Sequence, residues 1–241
     1  MITELLKKSL PSYETTLPIS GKKYKFRPMT VKEEKILLLA QKSESGPEMA
    51  NALAQVIKNC FDGLESPEQM AIADVEKAFL ELRAKSIGEE ASFNIICPDT
   101  REAISIKTDL QKFELDKPKN RSNKIKLSDD MVLLLKEPDF SCLIEDDTED
   151  SENGLKSMFK NCFVELQTSG NVFCKNEISD DDLFSFYDLM TKKQLDEFEK
   201  FVNSVPRMKK TIIYRTRDNE EKTLTIMGIE SFFAYASATS V

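Results

Sequence analysis

The 241-residue chain contains no histidine, no tryptophan and only seven glycines. Without histidine it lacks the side chain that titrates near neutrality and the commonest metal ligand. It also lacks the usual base for a serine or cysteine nucleophile. The glycines fall in neither GxGxxG nor GxxxxGKS/T spacing, so no phosphate-cradling loop is encoded. Gly21-Lys22-Lys23 reads as a turn followed by solvated lysines. Apolar runs are short as well. Residues 36–40 and 132–135 fall far below the roughly 20 residues that cross a bilayer. Residues 1–10 have neither a long apolar core nor a small-residue cleavage signal, and the expectation is a protein made and kept in cytoplasm.

The five cysteines, Cys60, Cys97, Cys142, Cys162 and Cys174, form no CxxC pair. Free thiols in a reducing compartment are expected, with no zinc and no cofactor. Cys60 and Cys162 lie on apolar helix faces, where cysteine behaves as a small hydrophobe. Acidic residues abound, but Glu33-Glu34, Glu89-Glu90 and Asp180-Asp181-Asp182 sit at helix ends, where capping and solvation account for them. A formal charge of −8 opposes a large nucleic-acid footprint. An enzyme is therefore not expected.

What is present is amphipathic. Tyr24 and Phe26 alternate with Lys25, as in a strand. Thr30 can cap the helix that follows, and Glu33 completes a capping box. Residues 48–61 place Met49, Leu53, Val56, Ile57 and Cys60 on one helical face. Asp62-Gly63 ends that helix, and residues 73–86 form another. Residues 92–97 and 103–107 read as a hairpin. A polar, turn-rich stretch at 116–123 marks a module boundary. Residues 124–127 and 131–136 follow as a strand pair. Residues 145–152 hold six acids in eight positions and read as a solvated loop. Helical spacing returns at 155–166 and at 180–204, where Ser179 caps. The last hairpin spans 211–215 and 222–227, and an aromatic helix starts near Ile229.

The tetrapeptide Lys-Asn-Cys-Phe occurs at 58–61 and again at 160–163. Each copy ends a helix, precedes a loop and further helix, and leads to a hairpin. Each is also preceded by strand-like sequence. The order predicts an α/β fold of the α+β type, built from two similar helix–helix–β-hairpin modules at 1–116 and 117–241, an internal duplication. Cys60 and Cys162 would then mark equivalent buried helix ends.

Two basic clusters stand out. Lys22, Lys23, Lys25 and Arg27 interleave with Tyr24 and Phe26, a pattern that fits single-stranded nucleic acid but equally a strand with one solvated face. Lys117, Lys119, Arg121, Lys124 and Lys126 span the boundary. Either cluster could meet an acidic protein surface.

The segment Leu17-Pro18-Ile19-Ser20-Gly21-Lys22-Lys23-Tyr24-Lys25-Phe26-Arg27-Pro28-Met29-Thr30, continuing through Val31-Lys32-Glu33-Glu34-Lys35-Ile36-Leu37-Leu38-Leu39-Ala40, resembles the baseplate hub and hub-assembly proteins of T-even-like contractile-tailed phages. Val56-Ile57-Lys58-Asn59-Cys60 and the stretch 79–89 are similar to the same family, as are 201–206 and Gly228-Ile229-Glu230-Ser231-Phe232-Phe233. The resemblance implies a non-enzymatic role in building the central hub, as an assembly factor in host cytoplasm or as a subunit kept in the virion. It implies partners among other hub and tail proteins, and leaves homo- or hetero-oligomerisation open. A nucleic-acid-binding phage protein is the competing expectation. Candidate contact residues are Tyr24, Phe26 and Arg27 in the first strand and Phe232, Phe233 and Tyr235 near the C-terminus; burial in the core would give the same pattern.

Overall fold

The computed structural model describes residues 6, 9–97, 101, 103–119, 121–144, 151–216, 218–229 and 231. The architecture is α+β, with helices packed on small antiparallel sheets. Two units share the chain: residues 1–116 with 207–241, and residues 117–206.

The first unit opens with β1 (Tyr13–Thr16) and β2 (Lys23–Phe26), paired so that Tyr13 faces Phe26. The hairpin reaches further back than the alternation from Tyr24 indicated, because residues 18–20 form its turn. Helix α1 (Val31–Lys42) follows, then α2 (Gly46–Cys60). Ser45 caps α2 by accepting from the Glu48 amide, and Gly63, at φ +72°, supplies the left-handed turn beyond it. A short 3-10 turn at Pro67–Gln69 leads into α3 (Ile72–Ser86). Its N3 residue, Asp74, accepts from the Ile19 and Ser20 amides in the β1–β2 turn at 2.7 and 3.0 Å.

Strands β3 (Glu90–Ile96) and β4 (Ala103–Asp109) pair with Phe93 opposite Ile106. Ala91, Phe93 and Ile95 point inward and their neighbours outward, the period-two pattern of a sheet covered on one face. Strand β5 (Glu114–Asp116) completes the first stretch of this unit.

The second unit begins with β6 (Lys124–Lys126) and β7 (Met131–Leu135), followed by the one-turn helix α4 (Ser141–Ile144) and α5 (Ser151–Cys162). Residues 145–150 of the acidic segment lie outside the described residues. The chain turns directly from α5 into β8 (Phe163–Thr168), which pairs with β7, and β9 (Val172–Cys174) adds the fourth strand. The helix expected over 155–166 thus stops at Cys162. Helical spacing runs on through Leu166, but Phe163 pairs with Leu135 and commits the backbone to the sheet. Helices α6 (Asp180–Asp188) and α7 (Lys192–Asn203) cover the sheet, capped by Ser179 and Thr191. Phe159, Cys162, Phe163, Phe198 and Leu133 form the core between them.

Strands β10 (Arg207–Arg215) and β11 (Glu221–Met227) form the last hairpin, with Asn219 left-handed at its turn. This hairpin departs from the expected division at 117–241. It lies in the first unit, where Met208 of β10 pairs with Leu115 of β5. Buried Glu76 of α3 anchors it, accepting from Arg207 Nε and from the Met208 amide at 2.5 and 2.6 Å.

Candidate protein-binding surface

The junction between β2 and α1 is built from the segment that carried most of the sequence resemblance. Phe26 is 1 % exposed and stacks on Phe61 with ring centroids 4.9 Å apart. It is therefore withdrawn from any outer contact surface, a correction that follows from strand alternation turning it toward α2. Tyr24 is half-buried. Arg27 is also half-buried, and its guanidinium is occupied: it donates to both Glu33 oxygens and to the carbonyls of Pro28 and Asn59. Lys23 lies 3.9 Å from Glu14. The basic–aromatic alternation thus offers no free ring for a base to stack on at Phe26, which weighs against the nucleic-acid expectation.

Glu33 is the hub of this junction. Besides Arg27, it accepts from the amide and hydroxyl of Thr30, the expected capping box. Burial by itself would raise its carboxyl pKa. The hydrogen bonds from Arg27 and Thr30 outweigh that and hold it at about 2.

With Glu33 and Ala40 facing inward, the rest of α1 is set by geometry. Four consecutive apolar residues, Ile36 to Leu39, wrap most of the way round a helix of 3.6 residues per turn. One face cannot bury them all. Ile36 and Leu37 are half-buried, whereas Leu38 is 50 % and Leu39 69 % exposed. Val31, two turns before Leu38 on the same line, is 66 % exposed. Single exposed aliphatics are ordinary. Three on one stripe, with Lys35 and Lys42 between and beyond them, form an exposed apolar ridge. The run 36–40 was the signal in the sequence; its consequence depends on which side Glu33 and Ala40 take.

The second unit carries a comparable polar knot at the end of α5. Asp139 accepts from the Ser141 hydroxyl at 2.5 Å and from Lys136 at 2.9 Å, and Asn161 Nδ2 reaches Ser141 Oγ at 3.1 Å. Burial would raise the Asp139 carboxyl, but the bonds from Ser141 and Lys136 lower it. The hydroxyl and the Ser141 amide both donate to this carboxylate, which closes the turn into α4. Lys175 donates to the Lys160 and Asn161 carbonyls. It serves the helix end as Arg27 serves Asn59.

The repeated tetrapeptides occupy matching backbone settings. The Arg27 amide donates to the Cys60 carbonyl at 3.0 Å, and the Lys136 amide to the Cys162 carbonyl at 2.7 Å. Both donors immediately follow a strand, and both strand ends pair with the phenylalanine of the tetrapeptide: Phe26 with Phe61, Leu135 with Phe163. Burial pushes the Cys60 thiol up to about 12 and the Cys162 thiol upward as well, so neither is a ready nucleophile.

Phe232, Phe233 and Tyr235 lie outside the described residues. Among the described residues, no cluster of three His, Cys, Asp or Glu is placed to hold a metal ion, and no helix is long and apolar enough to cross a membrane. A family model described as T4 bacteriophage base plate protein matches residues 10–234. No curated protein and no solved structure matches the chain.

Proposed function

Because the chain belongs to the T4 bacteriophage base plate protein family, we propose that it is a non-enzymatic hub assembly protein, acting in host cytoplasm by binding other hub proteins as the baseplate is built. The observation that carries the binding role is the exposed α1 ridge of Val31, Leu38 and Leu39. Tyr24 and the C-terminal Phe232, Phe233 and Tyr235 remain proposed contacts alongside it. Arg27 contributes indirectly, by fixing the start of α1 through Glu33.

The test is capture of tail proteins from infected cells with the tagged chain. Leu38→Asp with Leu39→Asp should abolish capture of at least one tail protein while leaving the melting temperature unchanged. Full capture by the folded variant would remove the ridge from the reading. Mass spectrometry of purified particles against lysate addresses the role: presence only in lysate supports an assembly factor, whereas stoichiometric presence in particles would replace it with a retained hub subunit.

Internal duplication belongs to the same proposal. It is supported by the matching hydrogen bonds of Cys60 and Cys162 and by a second parallel. The N3 residue of α3, Asp74, binds the β1–β2 turn, and the N3 residue of α7, Gln194, donates to Leu127 O in the β6–β7 turn at 2.8 Å. A superposition of residues 48–110 on 155–228 that separates the two cysteines would count against it.

A further inference from the structure

A groove of about 460 Å³ runs within the second unit, between residues 118–125 and the C-terminal half of α7. Its apolar lining is Pro118, Ile125 and Phe201, the last two 3 % and 5 % exposed. Its charge is lopsided. Among the described residues, Lys119, Arg121, Lys124 and Lys200 line it against a single acid, Glu197.

Arg121 is wall rather than ligand site. Its guanidinium donates to Glu137, to Ser204 Oγ at 3.0 Å and to Phe201 O at 3.1 Å, and lies 4.8 Å from the Phe201 ring centroid. The bonds to Ser204 and Phe201 fasten Arg121 to the C-terminal end of α7. The three lysines are different: all are exposed, and none has a carboxylate partner among the described residues. Among the other lysines of this unit, Lys126 pairs with Asp129, Lys136 with Asp139, and Lys160 with Asp180. In a chain of net charge −8, three lysines with no carboxylate partner among the described residues converge on one groove.

We propose that this groove is the docking site for an acidic, extended peptide segment of a partner baseplate protein, its carboxylates met by Lys119, Lys124 and Lys200 and an apolar side chain resting over Pro118. Ammonium groups on flexible stems suit carboxylates of varied spacing. Nucleic acid fits less well. The groove's aromatic ring, Phe201, is buried and has Arg121 over it, so it offers no stacking platform. The partner's identity rests on the baseplate reading; the groove's preference for acidic peptide does not.

The experiment uses the purified full chain and fluorescence anisotropy with three labelled probes. They are an eight-residue peptide alternating Glu and Leu, the same peptide with Lys for Glu, and single-stranded oligothymidine. The acidic peptide should bind at low salt and weaken as salt rises. The combined Lys119→Glu, Lys124→Glu and Lys200→Glu variant should weaken it about tenfold or more at unchanged melting temperature. Leu38→Asp with Leu39→Asp should leave this binding intact, which separates the groove from the α1 ridge. No binding of the acidic peptide at low salt, equal binding by the charge-reversed variant, or tighter binding of oligothymidine lost in that variant would each overturn the proposal.

Discussion

Glu33 shows how much one residue holds in place. Its folded carboxyl, at about 2, lies below the ordinary 4.5. A depressed carboxyl contributes stability that is fully present above the unfolded value and is lost as pH falls through the folded one. The contribution is therefore whole above pH 4.5 and disappears between there and pH 2. Its size is about 3 kcal/mol. Glu33→Gln should lower stability at pH 7 by a comparable amount and flatten the acid limb of a denaturant-midpoint profile in that window. An unchanged acid limb would show that the Arg27 pair is not formed in solution. The capping half of this arrangement was legible in the sequence, because Thr30 and Glu33 are three residues apart. The Arg27 half was not: its partners include the Asn59 carbonyl, 32 positions away.

The thiols give a second residue-scale prediction. Cys60, Cys97, Cys142 and Cys162 are buried, and Cys174 is half-exposed. A native protein mixed with an aromatic disulfide reagent should release about one equivalent quickly from Cys174, and the other thiols only on unfolding. Rapid reaction of Cys60 or Cys162 would contradict their placement at the buried helix ends.

At the scale of elements, the hairpin turns are tied to helix N-termini by single side chains. Asp74→Ala would strand the Ile19 and Ser20 amides and should cost about 3 kcal/mol, since the lost acceptor is charged and buried. Gln194→Ala removes one neutral bond to Leu127 O and should cost about 1 kcal/mol. Equal losses in urea midpoints would mean that charge and burial do not set the difference. The helices themselves were readable from apolar spacing and caps: Ser179 and Asp182 announce α6. The β8–β9 pair was hidden because Leu155, Phe159, Cys162 and Leu166 keep helical spacing past the point where the sheet takes over. Local period cannot register a partner such as Leu135, which lies in another element.

Across the molecule, the polar stretch at 116–123 marked a change in composition, but no local feature of residues 207–215 says which strand they join. Their place follows from β5 and from Glu76, 131 residues before Arg207. The first unit is therefore discontinuous in sequence and the second continuous. Residues 117–206 expressed alone should keep their core around Phe159 and Phe198 and unfold cooperatively. Deleting residues 207–241 should act on the first unit instead. It removes the strand paired with β5, and leaves Glu76, 1 % exposed, without Arg207 and the Met208 amide. A buried carboxylate stripped of such partners costs about 3–5 kcal/mol. The truncated chain should therefore retain the transition of residues 117–206 and lose, or shift far downward, the remaining signal. Adding Glu76→Leu to the truncation removes the stranded charge, so it should recover part of the loss. A truncated chain that melts like the full one, with or without Glu76→Leu, would show that β10 is not integral to the first unit.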